Sequence, residues 1–144
     1  MEIIDAYTVV VTERLRECRD FYGRWFGFEV VFEASWFIFL TSGGEQPVSI
    51  AFMSPEHPSS PPEPGPYRGD GAFLTLQVAD AAAEHERIVA AGLSPDLPLR
   101  EEPWGQLRFG VVDPAGMWVD VVQQVEPAPG WWDAYMTGDE VAST

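Results

Sequence analysis

The chain has 144 residues, 46% of them hydrophobic, which suits a single domain with a substantial core. Its 23 acidic residues stand against 8 basic ones, all Arg, for a formal net charge of −15. A field of that sign keeps a protein soluble, repels phosphate backbones and favours a cationic ligand, so nucleic acid is excluded as an expected partner.

Other whole-chain features narrow the class further. Cys18 is the single cysteine, so neither an intramolecular disulfide nor a Cys-rich metal site can form, and its helical phase with apolar residues reads as packing. No stretch approaches the roughly 20 apolar residues needed to cross a bilayer, and Met1–Asp5 lacks the basic start and apolar run of a signal peptide. The cytoplasm is therefore the expected location, with no membrane partner. Aromatic residues make up 13% of the chain, including six Trp and nine Phe, and some are expected to face a cavity or a partner.

In chain order, Ile3 to Val11 is β-branched and aromatic and predicts a strand. Leu15, Cys18, Phe21, Tyr22, Trp25 and Phe26 then recur at helical spacing, with charged residues on the opposite face. Gly27 is placed to end that helix in the left-handed conformation, with Phe28 folding back on the last turn. Strand signals follow at Glu29–Glu33, Trp36–Leu40 and Val48–Met53. Between Ser54 and Asp70 lie six of the chain's 13 prolines, which predict an extended connection.

The same order then returns. Ala72–Val78 predicts a strand, Asp80 an N-cap, and Ala81, His85, Ile88 and Val89 the buried stripe of a helix reaching Ala91 and ended by Gly92. Strand signals recur around Leu93–Leu97, Gln106–Val112 and Met117–Val125, the last two joined by the turn Asp113-Pro114-Ala115-Gly116. Between matched markers the first helix is the longer by two residues. The expected fold is α+β: two βαβββ modules whose mixed sheets cup a shared cavity, with the helices on the outer faces. The expected boundaries are a domain over 1–126, comprising module one at 1–54, a Pro-rich linker at 55–70 and module two at 71–126, followed by an aromatic tail at 127–144.

Two local signatures carry a family likeness. Cys18-Arg19-Asp20-Phe21-Tyr22 leading to Trp25-Phe26-Gly27-Phe28, and Val112-Asp113-Pro114-Ala115-Gly116-Met117-Trp118-Val119-Asp120, sit in their proper halves. The chain resembles the glyoxalase/bleomycin-resistance/dioxygenase (vicinal oxygen chelate) superfamily from about Ile3 to Val125, and most nearly its metal-free bleomycin-resistance-like members. The resemblance implies metal ligands, usually His, Glu or Gln, on the first and last strands of each half. Here those positions carry Ala6 or Tyr7, Ile50 or Ala51, Phe73 and Asp120. One carboxylate does not make a metal site, so neither a metal nor another cofactor is expected. His57 reads as a solvated loop residue, and His85 as a hydrogen-bonded packing histidine.

Strand alternation turns Leu74, Leu76 and Val78 toward the helix and Phe73, Thr75 and Gln77 toward the cavity, with Trp118 and Asp120 sharing a face of the last strand. Trp36, Phe52 and Trp104 complete the candidate ligand-binding set, although core packing is the alternative for Trp36 and Phe52, and an exposed lid or dimer contact for Trp104. No catalytic residue is expected. Asp120, facing inward without a metal, would take a cationic or hydrogen-bond-donating group of the ligand. Trp131, Trp132, Tyr135 and Met136 either fold back over the cavity mouth or bury themselves on a second subunit, and the family habit of pairing implies a homodimer.

Three functions are thus in play. The first is metal-independent sequestration of a small aromatic, cationic organic molecule, as in antibiotic resistance of the bleomycin type. The second is a divalent-metal-dependent lyase, isomerase or dioxygenase of the same superfamily. The third is a dimeric interaction module built on the aromatic tail.

Overall fold

The computed structural model describes residues 1–57 and 65–138; part of the Pro-rich connection (58–64) and the end of the tail (139–144) lie outside the described residues. Elements follow the predicted order: β1 (Thr8–Val11), α1 (Leu15–Phe26), β2 (Glu29–Glu33), β3 (Phe37–Thr41), β4 (Ser49–Met53), β5 (Leu74–Gln77), α2 (Ala81–Ala90), β6 (Leu97–Glu102), β7 (Gln106–Val112), β8 (Trp118–Gln124) and a 3-10 turn (Trp131–Ala134). The chain divides into two units, Met1–Ala72 with Val112–Trp118, and Phe73–Val111 with Val119 onward. Each module's sheet has four strands, in the orders β1-β4-β3-β2 and β5-β8-β7-β6, with the first and last strands of each module parallel.

In the first unit, α1 buries Leu15, Cys18, Tyr22 and Trp25 of the helical stripe predicted from spacing, while Phe21 and Phe26 are half-buried. Gly27, at φ 73°, ends it, and the Phe28 N–H donates to the Tyr22 carbonyl at 3.1 Å. A side chain with a Cβ resists that left-handed conformation, which is why glycine stands there. Burial pushes the Cys18 thiol up to about 12, so Cys18 packs as a small hydrophobe rather than reacting.

The core of this unit is a ring cluster around Tyr22, which meets Phe28 at 5.6 Å and Phe52 at 5.2 Å between centroids. Phe52 was expected among ligand-facing residues, but its register beside Val10 and Ile38 puts it on the helix-facing side of the sheet, fully buried. The Tyr22 hydroxyl donates at 2.7 Å to Asp113 Oδ2, and Asp113 Oδ1 accepts the N–H groups of Ala115 and Met117, both at 2.9 Å. The Asp-Pro turn is therefore a hydrogen-bonded structural device. Burial raises the Asp113 carboxyl above its ordinary range, opposed by the Tyr22 hydroxyl and the turn's N–H groups. Burial, then the charge of Asp113, pushes the Tyr22 phenol up as well.

In the second unit, Asp80 caps α2 by accepting the Ala83 N–H at 3.0 Å, as predicted. Ala81 and Ile88 are buried and His85 lies edge-on to Phe109 at 5.3 Å, but Val89, expected in the stripe, is exposed. The two helices have 12 and 10 residues, the predicted difference.

Boundaries shift where a strand needs a neighbour. The predicted strand from Ile3 begins only at Thr8, where pairing with Ile50 begins, so Ala6 and Tyr7 precede it. The signal at Leu93–Leu97 becomes a strand starting at Leu97, and Phe73 precedes β5. His57 is half-buried, its ring stacked on Trp36 with centroids 3.6 Å apart, not the solvated loop residue expected.

Candidate ligand-binding face

The second sheet has one face buried under α2, carrying Val119, Val121, Phe109 and Val111, all nearly inaccessible. Alternation sends the intervening residues to the other face. In the parallel register of β5 and β8, Thr75 stands beside Asp120 and Gln77 beside Val122. On β7 the same alternation sends Gln106 and Arg108 to that face. The Gln124 amide donates to Gln77 Oε1 at 3.2 Å.

The electrostatic centre of this face is a four-residue network. Arg108 Nη1 donates to Asp120 Oδ2 at 3.0 Å and Arg108 Nε to Glu102 Oε1 at 3.4 Å, while Arg100 also donates to Glu102. The Arg108 guanidinium lies over the Trp104 ring at 5.2 Å, and the Trp104 indole N–H donates to Gln106 Oε1 at 2.9 Å. Asp120 is 4% exposed, and a buried carboxylate is tolerated only when paired. Two guanidinium groups and two carboxylates make the network neutral. At Glu102 burial works to raise the carboxyl, but Arg100 and then Arg108 outweigh it and hold the group below the usual range.

The expected site residues therefore separate. Thr75, Gln77, Trp118 and Asp120 share a sheet face, exposed at Thr75 and Gln77 and half-buried at Trp118. Trp104 stands at its edge, in the turn between β6 and β7. Phe73, 61% exposed, lies just before β5. Trp36 belongs to the first unit with His57, and Phe52 to the core under α1. The expectation that Asp120 awaits a positive ligand group is overturned, because Arg108 already supplies that charge. Arg108, Arg100, Glu102 and Gln124 were not anticipated, although the alternation of Gln106-Leu107-Arg108-Phe109 puts Arg108 opposite Phe109 and on the face of Asp120.

This donor set does not fit a divalent metal. Asp120 is held by a guanidinium, Phe73 is apolar, and among the described residues no three His, Cys, Asp or Glu side chains converge. Also among the described residues, no helix is long and apolar enough to cross a membrane.

The tail packs on its own unit. Ala128 N–H donates to the Pro103 carbonyl and the Trp132 indole N–H to the Trp104 carbonyl, both at 2.8 Å, and Trp131 meets Trp104 at 5.8 Å between centroids. Trp131 and Trp132 lie against the β6–β7 turn of their own unit, with Trp132 and Tyr135 still exposed.

Two four-stranded mixed sheets, each built as βαβββ, define a paired-module α+β protein of the glyoxalase type. The profile of the Glyoxalase/Bleomycin resistance protein/Dioxygenase superfamily matches residues 4–121, and the chain belongs to that superfamily. No curated protein matches it. Among solved structures, a glyoxalase/bleomycin resistance protein/dioxygenase from Nocardioides aligns with a TM-score of 0.70 at 18% identity, over 90% of this chain and 89% of its own. A lactoylglutathione lyase from Agrobacterium tumefaciens aligns with a TM-score of 0.65 at 20% identity, over 83% and 92%. A bleomycin-binding protein complexed with bleomycin aligns with a TM-score of 0.62 at 20% identity, over 85% and 99%. At these identities the likeness speaks to fold alone.

Proposed function

We propose that this protein binds a small aromatic organic molecule without a metal, on the second-sheet face that carries Thr75, Gln77, Trp118 and the Arg108–Asp120 pair. In this reading it acts as a cytoplasmic homodimer that sequesters a toxic compound, in the manner of bleomycin-resistance-like proteins. The observation that carries the reading is the 3.0 Å contact of Arg108 with Asp120. A divalent ion at Asp120 would meet a fixed guanidinium, and like charges at such range repel strongly in a partly desolvated site.

With its own charges paired, the face offers a guest ring contacts and isolated hydrogen-bonding groups, a combination suited to a flat organic body. That the fold also serves a protein bound to bleomycin supports a ligand of this kind. A thermal-shift screen with planar antibiotics and common metabolites, run with and without divalent metals, tests the reading. A ligand bound to the native state raises Tm by mass action, and the rise is expected to be the same in the presence of a chelator. A stoichiometric metal in protein purified without chelators would instead favour a lyase, isomerase or dioxygenase.

A further inference from the structure

The folded-back tail creates an open pocket of about 590 Å³ at the end of the second sheet, walled by Trp104, Trp132, Val125 and Pro127 and edged by Gln124 and Glu126. Its construction depends on Gly105, at φ 106°. A Cβ there would come within 2.8 Å of the Val125 carbonyl oxygen, and the chain leaving β8 runs close enough for the Val125 N–H to reach the Gly105 carbonyl at 2.9 Å.

Hydrogen bonds already made within the unit decide what this pocket can recognise. The two indole N–H groups are spent on Gln106 and on the Trp104 carbonyl. The Gln124 amide donates to Gln77, the N–H groups of Gly105 and Val125 are taken, and Pro127 has none. What remains for a guest is mainly acceptors, the Gln124 side-chain oxygen and the Glu126 carboxylate, beside the second hydrogen of the Gln124 amide; Glu126 makes no ion pair among the described residues. Around these acceptors stand the indole rings, whose negative π faces attract cations. Arg108 lies over Trp104, but its charge is answered by Asp120 and Glu102. The formal net charge of −15 adds a long-range pull of the same sign.

The geometry points to a second binding site, built by the tail, for an organic ammonium ion: a protonated amine on an apolar body, its charge at Glu126 and its body against Trp104 and Trp132. This site stands without the sheet-face reading and survives its failure.

The test is calorimetric titration of the full chain with 2-naphthylmethylammonium, its neutral alcohol analogue 2-naphthylmethanol, and the anionic 2-naphthylacetate. The ammonium is expected to bind about tenfold more tightly than the alcohol, with no uptake of the carboxylate. Glu126→Gln is expected to remove most of that preference while leaving alcohol binding in place. Glu86→Gln, which removes one exposed charge from α2, should preserve the preference. Trp132→Leu, with its fold checked by circular dichroism, should weaken the ammonium and the alcohol alike.

Equal binding of the three probes would overturn the proposal, as would a preference untouched by Glu126→Gln or no ammonium uptake at ~10 mM. Loss of ammonium binding in Trp118→Ala but not in Glu126→Gln would move the guest to the sheet face. That outcome too would overturn the tail site, while leaving the sheet-face reading intact.

Discussion

Asp113 and Asp120 are both buried carboxylates, 4% exposed each, and they are satisfied in opposite ways. Asp113 sits in the first unit among neutral donors, a phenol and backbone N–H groups, and burial raises its carboxyl. Asp120 sits on the sheet face turned away from α2 and meets a guanidinium. Neutral donors hold a turn in shape at the expense of an uncompensated charge. A cationic partner cancels the charge and leaves the surrounding rings and amides to meet a guest.

The comparison can be broken most forcefully at Asp113. Asp113→Ala strands the Tyr22 hydroxyl and two turn N–H groups, and should cost about 3 kcal/mol in urea denaturation. Arg108→Ala takes from the buried Asp120 the guanidinium paired with it. Because Arg108 is partly exposed, the expected loss is about 2 kcal/mol, smaller than for a fully enclosed pair. Adding Asp120→Asn to Arg108→Ala should restore most of that loss, and failure to do so would show that the pair matters for more than its charges.

Asp113→Asn keeps an oxygen for the turn and an amide for Tyr22, so it should cost under about 1 kcal/mol at pH 7. It should also remove a pH dependence. Folded Asp113 holds its proton to higher pH than the unfolded chain, whose value is about 4. Its contribution to stability is therefore fully present below that value and is lost as pH rises through the folded pKa. The difference between wild-type and Asp113→Asn stability curves should fall in that interval.

The smallest effect is expected at Glu102, where the sign reverses. Its lowered pKa contributes stability present above the unfolded value and lost as pH falls through the folded one. Glu102→Gln should flatten the acid limb of the stability curve, a change readable in thermal melts at stepped pH.

Much of the architecture was legible because its signals are local. The spacing of Leu15, Cys18, Tyr22 and Trp25, the stop at Gly27 and the cap at Asp80 all act within one or two helical turns, and they appear where periodicity placed them. The edges of β1 and β6 were less legible because a strand exists only where a partner supplies hydrogen bonds, as Ile50 does for Thr8. The face of Phe52 was lost to register, since a single step along a strand exchanges core for surface. Arg108 was within reach through alternation on β7, but its pairing with Asp120 joins residues on neighbouring strands that no local pattern links.

By itself, the order of residues determined two βαβββ halves, the helix ends, the Asp-Pro turn and a strand face poor in metal donors, because these depend on backbone preferences and short-range periodicity. Only the tertiary structure decided that Asp120 is answered by Arg108, that His57 stacks on Trp36, and that Trp132 lands on the Trp104 carbonyl. Charge compensation, ring stacking and the closing of a tail pocket depend on separations of a few ångströms between distant parts of the chain, and folding alone sets those separations.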